Sequence, residues 1–270
     1  TRAANELATM IAGGETSSRE VVDAHLARID EVNGDLNAVV RVLADGARAG
    51  ADAADAAVAA GDPLGPFHGV PITIKENLDC TCSPTTQGVP AMAEAMPPVD
   101  SPVVERMKAA GAIPLARTNL PEMGLRITTN NPLHGLTRNP WTPDLTAGGS
   151  SGGEAASIAS GMSPFGLGND LGGSLRNPAY CCGITSLKTS FGRFPSAGTM
   201  PPADTPTLAF QLMGVEGPMA RHVADLRLGV EVMAGRHPRD PKSVTVPFDG
   251  PPVARRAAVL TEVPGGPIHP

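Results

Sequence analysis

Short β-rich runs alternate with helical stretches along this chain, and glycine or proline marks each change. Val70-Pro71-Ile72-Thr73-Ile74, Ile113 to Ala116 and Phe165 to Gly168 are apolar and short, which suits strands rather than helices. Between the first two, Ser101-Pro102 opens a helix, with serine as cap and proline in the first turn. Val103, Met107 and Ala110 share one face of it, and Gly111 closes it. Glu154 to Ser160 reads as a further helix. Strands that alternate with helices imply an α/β sheet with helices on its faces.

Upstream the texture is helical. Ser17 and Glu20 have capping-box spacing, Val22, Leu26, Ile29 and Val32 recur at helical intervals, and Asn33-Gly34 is expected to end the run. Asn37 to Ala60 is rich in alanine and reads as one surface helix, broken at Gly46 and stopped by Gly61-Asp62-Pro63. The expected organisation is a helical lead-in over 1–62, an α/β core over 63–243 and a Pro-rich end over 244–270, all in one domain.

Aromatic residues make up only 3%, so the core must pack on Ala, Val, Leu, Ile and Met. The 31 glycines and 28 prolines predict many turns, and they lack the three-residue period of collagen. A formal charge of −6 excludes an electrostatic nucleic-acid binder. No run approaches the ~18 apolar residues of a membrane span. The first residues, Thr1 to Glu6, lack the blocks of a secretory signal and an initiator Met, and the cytoplasm is the expected compartment. Cys80, Cys82, Cys181 and Cys182 lack zinc-knuckle spacing and are expected as free, partly buried thiols. No His or carboxylate cluster has ligand spacing, so neither a metal nor another cofactor is expected.

Two segments stand out chemically: Gly148-Gly149-Ser150-Ser151-Gly152-Gly153, and Gly168-Asn169-Asp170-Leu171-Gly172-Gly173-Ser174-Leu175-Arg176. Successive glycines let backbone N–H groups converge into an anion nest. A serine at the end of such a nest can attack a carbonyl whose oxygen the nest holds. Taken singly, each segment reads as a flexible turn. A serine nucleophile also needs a base. His25, His68, His134, His222, His237 and His269 sit in no catalytic pattern and read as surface or structural residues. Gly148-x-Ser150-x-Gly152 matches a nucleophile elbow, but that motif needs a strand just before it. The preceding Asn139-Pro140-Trp141-Thr142-Pro143-Asp144 cannot be a central strand. Lysine is the other base known for serine, and Lys75 follows an apolar strand, where a sheet delivers residues to a site.

These residues, taken together, closely resemble the amidase signature family. The resemblance rests on Pro71 to Asn77, Arg117-Thr118-Asn119-Leu120-Pro121-Glu122, Asn139-Pro140-Trp141, Gly148 to Gly153 and Leu171 to Arg176. It continues through Asn177-Pro178-Ala179, Cys182-Gly183-Ile184 and Ser186-Leu187-Lys188, and covers about Leu64 to Leu226. It implies a mixed β-sheet flanked by helices on both faces, and a serine amidohydrolase acting on a linear amide. By motif position Ser174 would be the nucleophile, Ser150 the bridging serine after a cis Gly149–Ser150 bond, and Lys75 the base. Backbone N–H groups of Leu171, Gly172, Gly173 and Ser174 would hold the oxyanion. Ser151 would hydrogen-bond near Lys75, Asp170 and Arg176 would pair beside the nest, and Met123 and Gly124 would lie near the acyl pocket. A small-molecule amide is the implied partner and a homodimer the implied assembly.

Two departures stand out: Asn169 where many relatives have Thr, and Ser186-Leu187-Lys188-Thr189-Ser190 in place of Gly-Leu-Lys-Pro-Thr. Members of the family are usually far longer, so the Pro-rich end reads as the start of a missing C-terminal part, and the chain as truncated. The alternatives are the glutaminase component of a tRNA-dependent amidotransferase and an inactive remnant. Glu154 after Gly152-Gly153, and Asn169-Asp170, favour the stand-alone amidase.

Overall fold

A computed structural model describes residues 2–198, 208–250, 262–263 and 266–267. Helices α1 (Ala4–Ala12) and α2 (Ser18–Leu36) lead the chain. The Ser17–Glu20 capping box forms as expected, with the Glu20 N–H bound to Ser17 Oγ at 3.0 Å. The helix runs past Asn33-Gly34, however, and ends at Asn37, which takes a left-handed conformation. The side-chain carbonyl of Asn33 accepts the N–H groups of Ala38 and Val39, so this residue supports the exit from the helix and does not break it.

The expected helix over 37–60 is two elements. Strand β1 (Val39–Val42) comes first, and α3 (Ala44–Ala60) follows, intact through Gly46. Val39, Val40 and Val42 are β-branched, and that local preference outweighed the alanine-rich surroundings. Next come β2 (Pro71–Lys75), α4 (Pro102–Ala109) and β3 (Ile113–Thr118). Proline sits in the first turn of α4, but the Ser101 hydroxyl makes no capping bond there. Two short strands, β4 (Asn130–Asn131) and β5 (Gly135–Leu136), pair as a hairpin. Then follow α5 (Gly152–Ala159), β6 (Phe165–Asp170), α6 (Arg176–Cys182) and β7 (Thr185–Ser186). The remaining elements are α7 (Leu208–Met213), β8 (Val215–Ala220), α8 (Val223–Met233) and an antiparallel pair, β9 (Glu262–Val263) and β10 (Gly266–Pro267). Most of the stretch read as a Pro-rich end beyond Gly250 lies outside the described residues.

Six strands form one sheet in the order β1-β3-β2-β6-β8-β7. β2 is parallel to both of its neighbours, while β1, β8 and β7 run antiparallel to theirs. The sheet is therefore mixed. One core cluster packs Ile72, Ile74, Phe165 and Leu167 against Leu7 and Ile11 of α1, Val103 and Met107 of α4, and Leu226 and Met233 of α8. The other packs Ile113, Leu115 and Met219 against Leu26 and Ile29 of α2, Ala47 and Ala51 of α3, Ala155 and Ile158 of α5, and Ala179 of α6. Two separate cores across one sheet confirm helices on both faces. Every residue of β2 and β6 is buried, as expected of central strands.

Candidate active site

Parallel strands deliver their C-terminal ends to the same edge of a sheet, and ligands bind there in α/β folds. Here that edge carries Lys75 at the end of β2 and Asn169-Asp170 at the end of β6. The two glycine-serine segments supply the rest. Ser150 stands two residues before α5, and Ser174 two residues before α6. The residues before Ser150 form no strand directly ahead of it, so the elbow match is accidental.

Lys75, Ser150 and Asn169 meet. Lys75 Nζ lies 2.7 Å from Ser150 Oγ and 2.7 Å from Asn169 Oδ1. Asn77 Nδ2 donates to the same Asn169 oxygen at 3.3 Å. Lys75 is fully buried, and loss of solvent disfavours its ammonium, so its pKa falls from 10.5 to about 7. The fields of Glu216, Asp170 and Glu154 oppose that fall, and Glu216 is the strongest of them. The Gly149–Ser150 peptide is cis, as the resemblance implied. Gly149 has no room for a side chain, since a Cβ would lie 2.7 Å from Arg126 O. That close approach brings the 124–128 loop over Ser150, where a Cβ on Gly124 would stand 3.6 Å from Ser150 Oγ. Met123 precedes it with a φ of 54°, its N–H bound to Gln87 O at 2.8 Å.

Ser174 is half-buried, in contrast to Lys75 and Ser150. Its carbonyl accepts the Ser151 N–H at 3.1 Å, which ties the two glycine-serine segments together. The Ser151 hydroxyl donates to Asn169 O at 3.5 Å. Ser151 thus hydrogen-bonds near Lys75, on the backbone of the residue whose side chain holds the amine.

Asp170 and Arg176 pair as expected, with Nε–Oδ2 and Nη2–Oδ1 both at 3.0 Å. Asp170 also accepts the N–H groups of Gly173 at 2.7 Å and Leu175 at 3.0 Å. Although burial opposes it, these bonds and Arg176 hold the carboxyl below its usual value. The Gly173 bond corrects one expectation. Its N–H closes the turn on Asp170 and is not open to an oxyanion. Leu171, Gly172 and Ser174 remain of the four expected donors. Gly173 has a φ of 126°, a conformation that glycine alone adopts easily.

Beneath the site lie ionisable groups that sequence reasoning gave no such place. Glu154 is fully buried in α5, accepts the hydroxyls of Thr73 and, at 2.6 Å, Thr118, and its pKa is pushed up to about 7 by burial. Glu216 of β8 accepts from Ser196 Oγ at 3.0 Å and is pushed up to about 8, again by burial. Arg117 of β3 is buried against the carbonyls of Ile74 (3.3 Å), Lys75 (3.3 Å) and Leu78 (2.6 Å), and against Ser83 Oγ (2.7 Å). It thus clamps the strand end that carries Lys75.

Cys80 and Cys82 are not free thiols but a disulfide, with Cα atoms 5.2 Å apart. The tight turn after Leu78 brings them together, a geometry that Cys-x-Cys spacing does not announce. Cys181 and Cys182 are free, and burial pushes the Cys182 thiol up to about 12. His25 and His68 bond the carbonyls of Gly161 (3.2 Å) and Ala54 (3.0 Å), in structural roles. His134 Nε2 meets Glu76 Oε2 at 2.7 Å, while His269 lies outside the described residues. No helix of the described residues is long and apolar enough to cross a membrane.

A family model described as Amidase matches residues 20–262. The indoleacetamide hydrolase of Bradyrhizobium diazoefficiens is 49% identical over 260 residues, covering 96% of this chain and 49% of that protein. A component of the glutamyl-tRNA(Gln) amidotransferase of Thermobifida fusca is 41% identical over 259 residues, covering 95% of this chain and 50% of that one. Among solved structures, the native peptide amidase from Stenotrophomonas maltophilia superposes with a TM-score of 0.83 at 30% identity, covering 92% of this chain and 51% of that one. The chain spans about half the length of the curated relatives it matches.

Proposed function

Since the chain belongs to the amidase family, we propose that it is a serine amidohydrolase that cleaves a linear carboxamide through an acyl-enzyme on Ser174. The observation that carries the proposal is the buried Lys75 amine, 2.7 Å from Ser150 Oγ and held by Asn169. A neutral amine is needed there, and a pKa near 7 makes it available at neutral pH. Lys75 takes the Ser150 proton as Ser150 takes that of Ser174. The Ser174 oxygen attacks the amide carbon, and the N–H groups of Leu171, Gly172 and Ser174 receive the negative oxygen. One such donor is worth about 3–4 kcal/mol. The proton returns through Ser150 to the leaving nitrogen as the C–N bond breaks. Water then releases the acid by the same relay. Asp170, locked to Arg176, shapes the nest, and the loop of Met123 and Gly124 walls the acyl side.

A serine-directed phosphonofluoridate tests this reading. It should leave one adduct, mapped by peptide mass to Ser174 and absent in Ser174→Ala. A folded chain without that adduct would favour the inactive remnant. The 41% identity to a component of a glutamyl-tRNA(Gln) amidotransferase supports a second reading, a glutaminase that passes ammonia to partner proteins. Co-purification with such partners from the native host, and glutamine as the preferred amide, would select it. A homodimer and a cytoplasmic setting belong to the same proposal. Sedimentation checks the first. Thiol alkylation in intact cells checks the second, because a reducing cytosol would open the Cys80–Cys82 bond.

A further inference from the structure

Lys75 is held by an unusual partner. Asn169 Oδ1 accepts from its amine at 2.7 Å, and a carbonyl oxygen has no proton to give. The contact therefore fixes which way the amine faces. One N–H points to Asn169, and the lone pair is left for the proton of Ser150. A side-chain amide, however, has two ends of opposite sense. Rotated by half a turn, Asn169 would present its NH2 group to Lys75, compete for the lone pair and stop the relay. Asn77 Nδ2, which donates to the same oxygen at 3.3 Å, favours the working sense, but it leaves the NH2 end of the amide unheld.

Glu216 is placed to hold that end. It is the direct cross-strand partner of Asn169 in the antiparallel β6–β8 ladder, a position where Cβ atoms stand about 4.5–5.5 Å apart. Asn169 Nδ2 and Glu216 Oε2 are both buried, and neither has a hydrogen-bond partner among the described residues, so the two are not hydrogen-bonded to each other in this structure. Asn169 Nδ2 is a donor, and Glu216 Oε2 is an acceptor once the carboxyl ionises, above about pH 8. The second Glu216 oxygen is anchored by Ser196 Oγ at 3.0 Å. When ionised, Glu216 exerts the strongest carboxylate field on Lys75. Nothing in the glycine-serine motifs points to it.

We propose that Glu216 is a positioning residue for the Lys75 base, acting through Asn169: across the strand pair its carboxyl is the buried acceptor open to the Asn169 NH2 group, and a small turn of either side chain joins them and keeps the Asn169 carbonyl turned toward Lys75. The inference rests on the reading of Ser174 and Lys75 as nucleophile and base. Around the pair, Lys75 also faces Asp170 and Glu154, and Glu216 faces Asp240 and Asp79.

The test follows phosphonofluoridate labelling of Ser174 in the full chain from acid to alkaline pH. Glu216→Leu puts an apolar side chain of similar bulk in its place and removes the acceptor. Its alkaline plateau rate should fall about tenfold or more, because a turned amide occupies the lone pair of the base. Glu216→Gln keeps an acceptor oxygen and should recover most of that loss. A Glu216→Leu chain that labels at the wild-type rate overturns the proposal, and so does a Glu216→Gln chain no faster than Glu216→Leu. Should Glu216→Leu fail to fold, the exchanged pair decides. Asn169→Asp puts two acceptors face to face and a carboxylate on the amine, so the plateau should fall and the inflection rise by about one pH unit or more. Adding Glu216→Gln supplies a donor to the new carboxylate and should restore part of the plateau, and no recovery overturns the proposal. Wild-type protein that gives no Ser174 adduct would defeat the underlying reading instead, a result distinct from all of these.

Discussion

Two clusters of charged residues among the described ones behave in opposite ways. On the lead-in helices, Arg19 pairs with Asp23 and Asp52 at 2.8 Å, and Arg48 with Asp23 at 2.7 Å. All four side chains are about half exposed. Under the site, Lys75, Arg117, Glu154 and Glu216 are buried, and among the described residues none of them forms an ion pair. Hydroxyls, side-chain amides and backbone carbonyls receive them instead. In water, opposite charges attract weakly and salt screens them. Inside, each charge must be solvated by fixed dipoles or lose its charge, and the shifts of Lys75 and the two glutamates show the second course. Poor solvation is what makes an amine a usable base at neutral pH.

The comparison breaks most visibly at the site. Lys75→Ala should slow Ser174 labelling by about a thousandfold while leaving the chain folded by circular dichroism. Near-wild-type labelling would show that the buried amine is not the base. Arg117→Met should be the most destabilising change. It strips the guanidinium from three buried carbonyls, each costing about 1–3 kcal/mol when left bare, and urea denaturation would measure the loss.

The pH dependence sharpens the contrast. In the fold Glu154 keeps its proton up to about pH 7, against an ordinary value of 4.5. Its contribution to stability is then complete below pH 4.5 and is lost as the pH rises through 7. Glu154→Gln should flatten the decline in the urea midpoint over that window. Lys75 works the other way: its depressed value makes stability recover as the pH rises from about 7 toward 10.5. The smallest effect belongs to the surface. Arg19→Ala should leave the urea midpoint of the wild type unchanged at moderate salt.

What could be read in advance divides along similar lines. Central strands were legible because Ile72, Ile74, Phe165 and Leu167 are apolar in short runs bounded by glycine and proline. β1 was hidden in an alanine-rich stretch, and β8 by its Glu216, Gly217 and Pro218, which suit a strand only because of its place beside β6. Lys75, Ser150 and Ser174 were legible through local motifs, and the structure brings the first two into contact. Glu154, Arg117, Glu216 and the amine contact of Asn169 were not. A charged residue in an isolated segment reads as solvated, and only tertiary packing turns it inward. The disulfide was missed for a related reason, since the turn that closes it is held from outside by Arg117 on Leu78 O and Ser83 Oγ.

The order of strands has a consequence for how this protein comes into being. β2 lies between β3 and β6, parallel to both, and parallel neighbours can be joined only by long crossovers. The amine at the end of β2 and the amide at the end of β6 are 94 positions apart in the chain. No hairpin or other local unit can bring them together, and closing so long a loop is among the slower events of folding. Reactivity at Ser174 should therefore emerge only once β2 and β6 have paired. During refolding, the labelling reaction would serve as a clock for that pairing.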